Sequence, residues 1–99
     1  SIGGGKMVIF ELLGFDVNLS GDFPTYFIFY KFNDKNKKEL SLRIQEIFGD
    51  KKVSEKYSSS ILEGTNLLVV ESLEELNEES IQKITELEFV NEVKFADKL

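Results

Sequence analysis

Thr25-Tyr26-Phe27-Ile28-Phe29-Tyr30-Lys31-Phe32 is the stretch on which the fold turns. Aromatic and β-branched side chains fill it, the types that suit a pleated, packed surface. Five of the chain's twelve aromatic residues lie between positions 26 and 32. Successive side chains of a strand point to opposite faces, so Tyr26, Ile28, Tyr30 and Phe32 share one face and Phe27 and Phe29 the other. Both faces are apolar, which predicts a central strand.

Upstream, Asn18–Pro24 gathers turn formers, and Pro24 disfavours helix at Phe23. Before it, Met7–Val17 is rich in Val, Ile, Phe and Leu and reads as an added strand, with Gly14 marking a bulge or bend. A short turn would pair that strand with Thr25–Phe32 as an antiparallel hairpin. Ser1–Lys6 reads as a cloning remnant or flexible N-terminus, which leaves one domain over residues 7–99. Its Gly3-Gly4-Gly5-Lys6 run is not a phosphate-binding loop, because Met7 stands where a Ser or Thr is required.

Downstream, Leu40, Ile44, Ile47 and Phe48 recur at helical spacing, with Asn36 and Glu39 as a capping box and Gly49 as the stop. Lys51–Ile61 alternates loosely and predicts an exposed or edge strand. Glu63–Asn66 is a turn, and Leu67–Glu71 is a short apolar strand placed centrally. A second helix starts at Asn77 as cap, with Glu78 and Glu79 in its first turn, where the helix dipole favours negative charge. Leu76 and Ile81 fall at staple positions, and Ile84 and Leu87 complete the apolar face. Val90–Ala96 is the last strand, with Val93 and Phe95 on one side.

From Thr25 onward the order is β-α-β-β-α-β. The fold class predicted is therefore α+β: a ferredoxin-like sandwich with an antiparallel sheet, two helices on one face and an extra N-terminal strand. With helices on one face only, the opposite face of the sheet must be covered by the N-terminal segment or await a partner.

Composition narrows the function. The 99 residues include no His, Cys or Trp, which excludes His- and Cys-based catalysis, disulfides and zinc or iron–sulfur sites built on those residues. Ser58, Ser59 and Ser60 have no base beside them in sequence and read as a polar strand edge; Lys51, Lys52 and Lys56 read as solvated. The expectation is a non-enzymatic chain with no catalytic, metal or cofactor residues. The net charge is −6, which argues against direct binding of nucleic acid, and the aromatic strand lacks the glycine- and lysine-bearing signature of RNA-binding sheets. No apolar run exceeds five residues, so neither a membrane span nor a signal peptide is expected; the reading is a soluble chain, with the cytoplasm favoured.

The charge is unevenly placed. Six basic residues face seven acidic ones up to position 50, and six face eleven after it. Glu71, Glu74, Glu75, Glu78 and Glu79 form an acidic edge, without the ligand spacing or internal glycine of a calcium loop. Two partner surfaces are thus expected: the sheet face of Tyr26, Ile28, Tyr30 and Phe32, and this edge.

Thr25–Asp97 resembles the propeptides of subtilisin-like proteases and their stand-alone inhibitor relatives. The matching residues are Tyr26-Phe27-Ile28-Phe29-Tyr30-Lys31, Gly49-Asp50-Lys51-Lys52-Val53-Ser54-Glu55-Lys56-Tyr57, Leu76-Asn77-Glu78-Glu79-Ser80-Ile81 and Phe89-Val90-Asn91-Glu92-Val93-Lys94-Phe95. The resemblance implies a module whose open sheet face packs on two protease helices and whose C-terminal tail, here Phe95, Ala96, Asp97, Lys98 and Leu99, enters the active site. It implies an inhibitor or folding helper, with no catalytic residue of its own. The residues themselves leave two alternatives: an acidic phage- or mobile-element-type inhibitor that mimics the charge of DNA, or a small-molecule-sensing or self-dimerising domain. The partners expected are accordingly another protein (a serine protease or a basic nucleic-acid-binding protein) or a second copy, with no membrane.

Overall fold

The computed structural model describes residues 8–19 and 21–97, with side chains from Leu12 onward. The chain runs β1 (Val8–Leu12), β2 (Phe15–Leu19), β3 (Thr25–Lys31), α1 (Asp34–Phe48), a 3₁₀ turn (Gly49–Lys51), β4 (Lys52–Tyr57), β5 (Thr65–Ser72), α2 (Glu78–Thr85) and β6 (Val90–Ala96). Ser1–Met7, Ser20, Lys98 and Leu99 lie outside the described residues, and with them the expected N-terminal remnant and the end of the tail.

Four strands form one sheet in the order β4-β5-β3-β6, every neighbouring pair antiparallel. β3 and β4 flank β5, so α1 crosses between two strands of like direction with a third inserted between them. This is the ferredoxin-like arrangement that the order of elements predicts. As expected, β3 and β5 are central and β4 lies at an edge.

The added N-terminal strand bends back on itself. Leu13 and Gly14 both have positive φ, 54° and 92°, the backbone sign a tight two-residue hairpin turn requires. β1 and β2 therefore pair with each other, from Val8↔Leu19 to Leu12↔Phe15. They form a separate two-stranded sheet. The hairpin expected between this segment and Thr25–Phe32 is corrected: Gly14 reverses the chain rather than bulging it, and β2 packs across β3 instead of beside it.

That packing divides the apolar residues into two cores, one on each face of the sheet. Tyr26, Ile28, Tyr30, Leu68 and Val70 point to the helices and meet Leu40, Ile44, Phe48, Ile84 and Leu87. Phe27, Phe29, Leu67 and Val69 point the other way and meet Phe15, Val17 and Leu19 of β2. The N-terminal segment thus covers the face the helices leave open.

Local signals account for the helix ends. The α1 cap is Asn33, whose side chain accepts from the Asn36 amide at 2.6 Å; Asn36, expected as the cap, instead donates its side-chain amide to the Lys31 carbonyl at 3.0 Å. Either Asn suits the role chemically, and the earlier one wins because the chain leaves β3 just before it. Gly49 ends α1 at φ 52°. α2 is capped by Asn77 as predicted, its side chain accepting from the Ser80 amide at 2.8 Å.

Candidate functional site

The sheet face expected to bind a partner lies inside the molecule. Tyr26, Ile28 and Tyr30 are 1%, 0% and 0% exposed, and Phe32 is half-buried against the same core. Alternation in β3 identifies which residues share a face. It does not reveal which face receives the helices. They take the face with the tyrosines, where the Tyr26 ring meets Phe48 at 5.8 Å and Phe95 at 4.9 Å.

The C-terminal residues are also corrected. Phe95 and Ala96 belong to β6 and pair with Tyr26 and Thr25, so they extend the sheet rather than trail from it. Phe95 remains 44% exposed at this edge, and Asp97 is exposed beyond it.

The acidic edge divides. Glu71 is 2% exposed and accepts a hydrogen bond from the Ser54 hydroxyl at 2.6 Å, so it belongs to the interior of the β4–β5 pair. Glu74, Glu75, Glu78 and Glu79 line the connection into α2 and its first turn, and all four are exposed. Glu74 forms an ion pair with Lys51 at 3.1 Å; both side chains are mostly solvated, so the pair contributes little to stability.

Two side chains that the sequence reading assigns to no binding surface stand at the same end of the sheet. Leu73 is 57% exposed and follows β5, its amide donating to the Lys51 carbonyl at 2.8 Å. Val53 is 40% exposed because β4 bulges there: Lys52 pairs with Ser72 but Ser54 pairs with Glu71, leaving Val53 unmatched. Alternation across Lys51–Ile61 places Val53 with Glu55 and Tyr57, and only the bulge breaks that parity. The result is two exposed apolar side chains at the end of the β4–β5 pair from which the acidic connection leaves.

The connection carrying those acids is anchored to the helix-covered core. The Leu76 amide donates to the Tyr26 hydroxyl at 2.7 Å. Burial pushes the Tyr26 hydroxyl above its ordinary pKa; the Leu76 hydrogen bond opposes this, and the nearby negative Glu75 adds to it. A strand residue thus fixes the point from which the acidic edge projects.

A second polar group lies where β4 meets α1. Glu55 accepts hydrogen bonds from Lys52 Nζ at 2.8 Å, the Tyr57 hydroxyl at 2.8 Å and the Ser41 hydroxyl at 2.9 Å. Burial alone would raise its pKa, but those three donors and the lysine charge outweigh it and hold the carboxyl below the ordinary glutamate value. Tyr57 moves upward, first by burial and then by its bond to the glutamate. Each partner in the group is occupied by another, so Glu55 is tied down as an ion rather than poised to take a proton. Lys52, expected to be solvated, is drawn into this group.

Ser58, Ser59 and Ser60 follow β4 in the connection to β5. The Ser58 hydroxyl accepts from the Ser60 amide at 3.1 Å, a local turn bond. A shallow groove of about 180 Å³ runs beside them, lined by Asp16, Asn18, Lys56 and Ser59 among others. Among the described residues there is no cluster of His, Cys, Asp and Glu that could hold a metal ion, and no helix is long and apolar enough to cross a membrane.

No protein family, curated protein or solved structure matches the chain.

Proposed function

We propose that this chain is a non-enzymatic protein-binding module that engages a positively charged partner through the edge formed by Val53, Leu73, Glu74, Glu75, Glu78 and Glu79. The observation that carries the reading is two exposed apolar side chains, Val53 at 40% and Leu73 at 57%, at the end of the β4–β5 pair from which the acidic connection to α2 continues. A hydrophobic anchor supplies affinity when it is desolvated, and a charged rim supplies attraction and register. A basic nucleic-acid-binding protein is one class of partner with that charge.

The protease-directed mode implied by the propeptide resemblance uses an open sheet face and a free tail. Here β2 occupies that face and Phe95 and Ala96 are paired in β6, so the acidic edge is the better supported surface.

A titration of the isotope-labelled chain with a synthetic amphipathic Lys/Leu peptide, followed by amide chemical shifts, tests this. Shifts confined to Val53 and residues 73–79 are expected. Affinity should fall several-fold between 50 and 300 mM salt, because rim charges are screened over about 10 Å at 0.1 M ionic strength. Leu73→Ser and the pair Glu78→Lys, Glu79→Lys should each weaken binding. Shifts centred elsewhere, or an affinity indifferent to salt, contradict the proposal. Proteolysis by a subtilisin in the same solution should proceed at an unchanged rate.

A further inference from the structure

Among the described residues, the β1–β2 hairpin shares no strand pairing with the four-stranded sheet. Phe15, Val17 and Leu19 hold it there by packing against Phe27, Phe29, Leu67 and Val69. The core under the helices is complete without it, since every member lies at Tyr26 or beyond. Removing the hairpin would leave that core closed and expose an apolar strip on the opposite face, a surface that water disfavours.

The junction between the two parts is short. Beyond it the chain is tied to the sheet, for the Ser72 amide donates to the Pro24 carbonyl at 2.9 Å and the Thr25 hydroxyl to the Phe23 carbonyl at 2.8 Å. Gly21, within the junction, holds φ at 81°, in the left-handed region. A short junction between an element that, among the described residues, shares no strand pairing with the body and the body it covers is the arrangement in which identical chains exchange that element.

We propose that the hairpin is exchangeable, and that the occupant of the sheet face in a second state of the molecule is the hairpin of a second copy. Phe15, Val17 and Leu19 of each chain then pack on Phe27, Phe29, Leu67 and Val69 of the other. The complementarity needed is already present, because the exchanged contacts are the same ones that close the monomer. The acidic edge lies outside the exchanged surface and stays available in both states.

Two variants of the full chain, Val17→Cys and Val69→Cys, test the exchange; the natural sequence has no cysteine to confuse the result. The two are mixed, incubated at high concentration in sub-denaturing urea, returned to buffer and oxidised. A disulfide-linked heterodimer is expected from the mixture and not from either variant alone. Deleting Gly21 and Asp22 should shift the chain towards twice its 11.3 kDa mass by light scattering, because the shortened junction cannot return the hairpin to its own sheet. A mixture that yields no heterodimer overturns the proposal. So does a deletion variant that folds and stays monomeric, or one that dimerises without forming the intermolecular disulfide when both Val17→Cys and Val69→Cys are introduced into it. If the deletion variant does not fold, the full-length mixture decides the matter alone.

Discussion

The two faces of the sheet are closed by different means. On one, α1 and α2 bring Leu40, Ile44, Phe48, Ile84 and Leu87 down onto the strands, and the chain enters and leaves each helix through the sheet itself. On the other, a two-stranded hairpin lies across β3 and β5, packed on them through Phe15, Val17 and Leu19 and, among the described residues, sharing no strand pairing with them. Two-stranded hairpins are marginal by themselves in water. The first face therefore sets the fold, and the second is a cover whose order depends on what it covers.

Substitutions can break or sharpen that contrast. Ile44, fully buried under the helices, should cost roughly 2–5 kcal/mol as Ile44→Ala, by lost transfer energy and the cavity left behind. Its denaturant midpoint should fall with all spectroscopic probes moving together. Phe15→Ala removes a larger side chain, 3% exposed and 5.9 Å from the Phe29 ring. In a single cooperative core such a change costs roughly 3–5 kcal/mol. On the hairpin side the global midpoint should fall by less than for Ile44→Ala, while amide protection in β2 is lost.

Gly14→Ala targets the hairpin turn. The backbone stands at φ 92°, and an added Cβ would come within 2.6 Å of Leu62 Cδ1. A cost of roughly 1–2 kcal/mol is expected, read from thermal unfolding. The double variant with Leu62→Ala should recover the steric share and leave the backbone share, which separates the two causes.

The smallest effect belongs to the helix side, at Glu55. Its folded pKa is depressed, so its contribution is present above the unfolded glutamate value, about 4.3, and is lost as pH falls through the lower folded value. Stability measured from pH 6 downward should decline more steeply in the native chain than in Glu55→Gln. Parallel curves would mean that the Ser41–Lys52–Tyr57 bonds to this carboxylate add nothing.

The contrast also explains what could be read from sequence. Local rules locate the strand at Thr25–Lys31, the cap at Asn77 and the edge character of β4, because each depends on a few adjacent residues. Alternation sorts Tyr26, Ile28 and Tyr30 from Phe27 and Phe29, yet both sets are large and apolar, so the side facing the helices is not encoded in the pattern. Only packing against Phe48 and Phe15 distinguishes them. Gly14 signals a break in the first strand, but a bulge and a reversal share that residue, and the difference lies in the positive φ of Leu13. The acidic edge is legible as composition. Its apolar anchor is not, because Val53 is exposed by a bulge and Glu71 is buried by a partner seventeen residues away, Ser54.

The separateness of the two faces is tested most directly by native-state hydrogen exchange, residue by residue, in rising low concentrations of denaturant. Amides of β2 should exchange through an opening of lower free energy and shallower denaturant dependence than those of β3 and β5, which should report global unfolding. A single common free energy and slope for β2, β3 and β5 would contradict the account, because the hairpin would then be an inseparable part of one core.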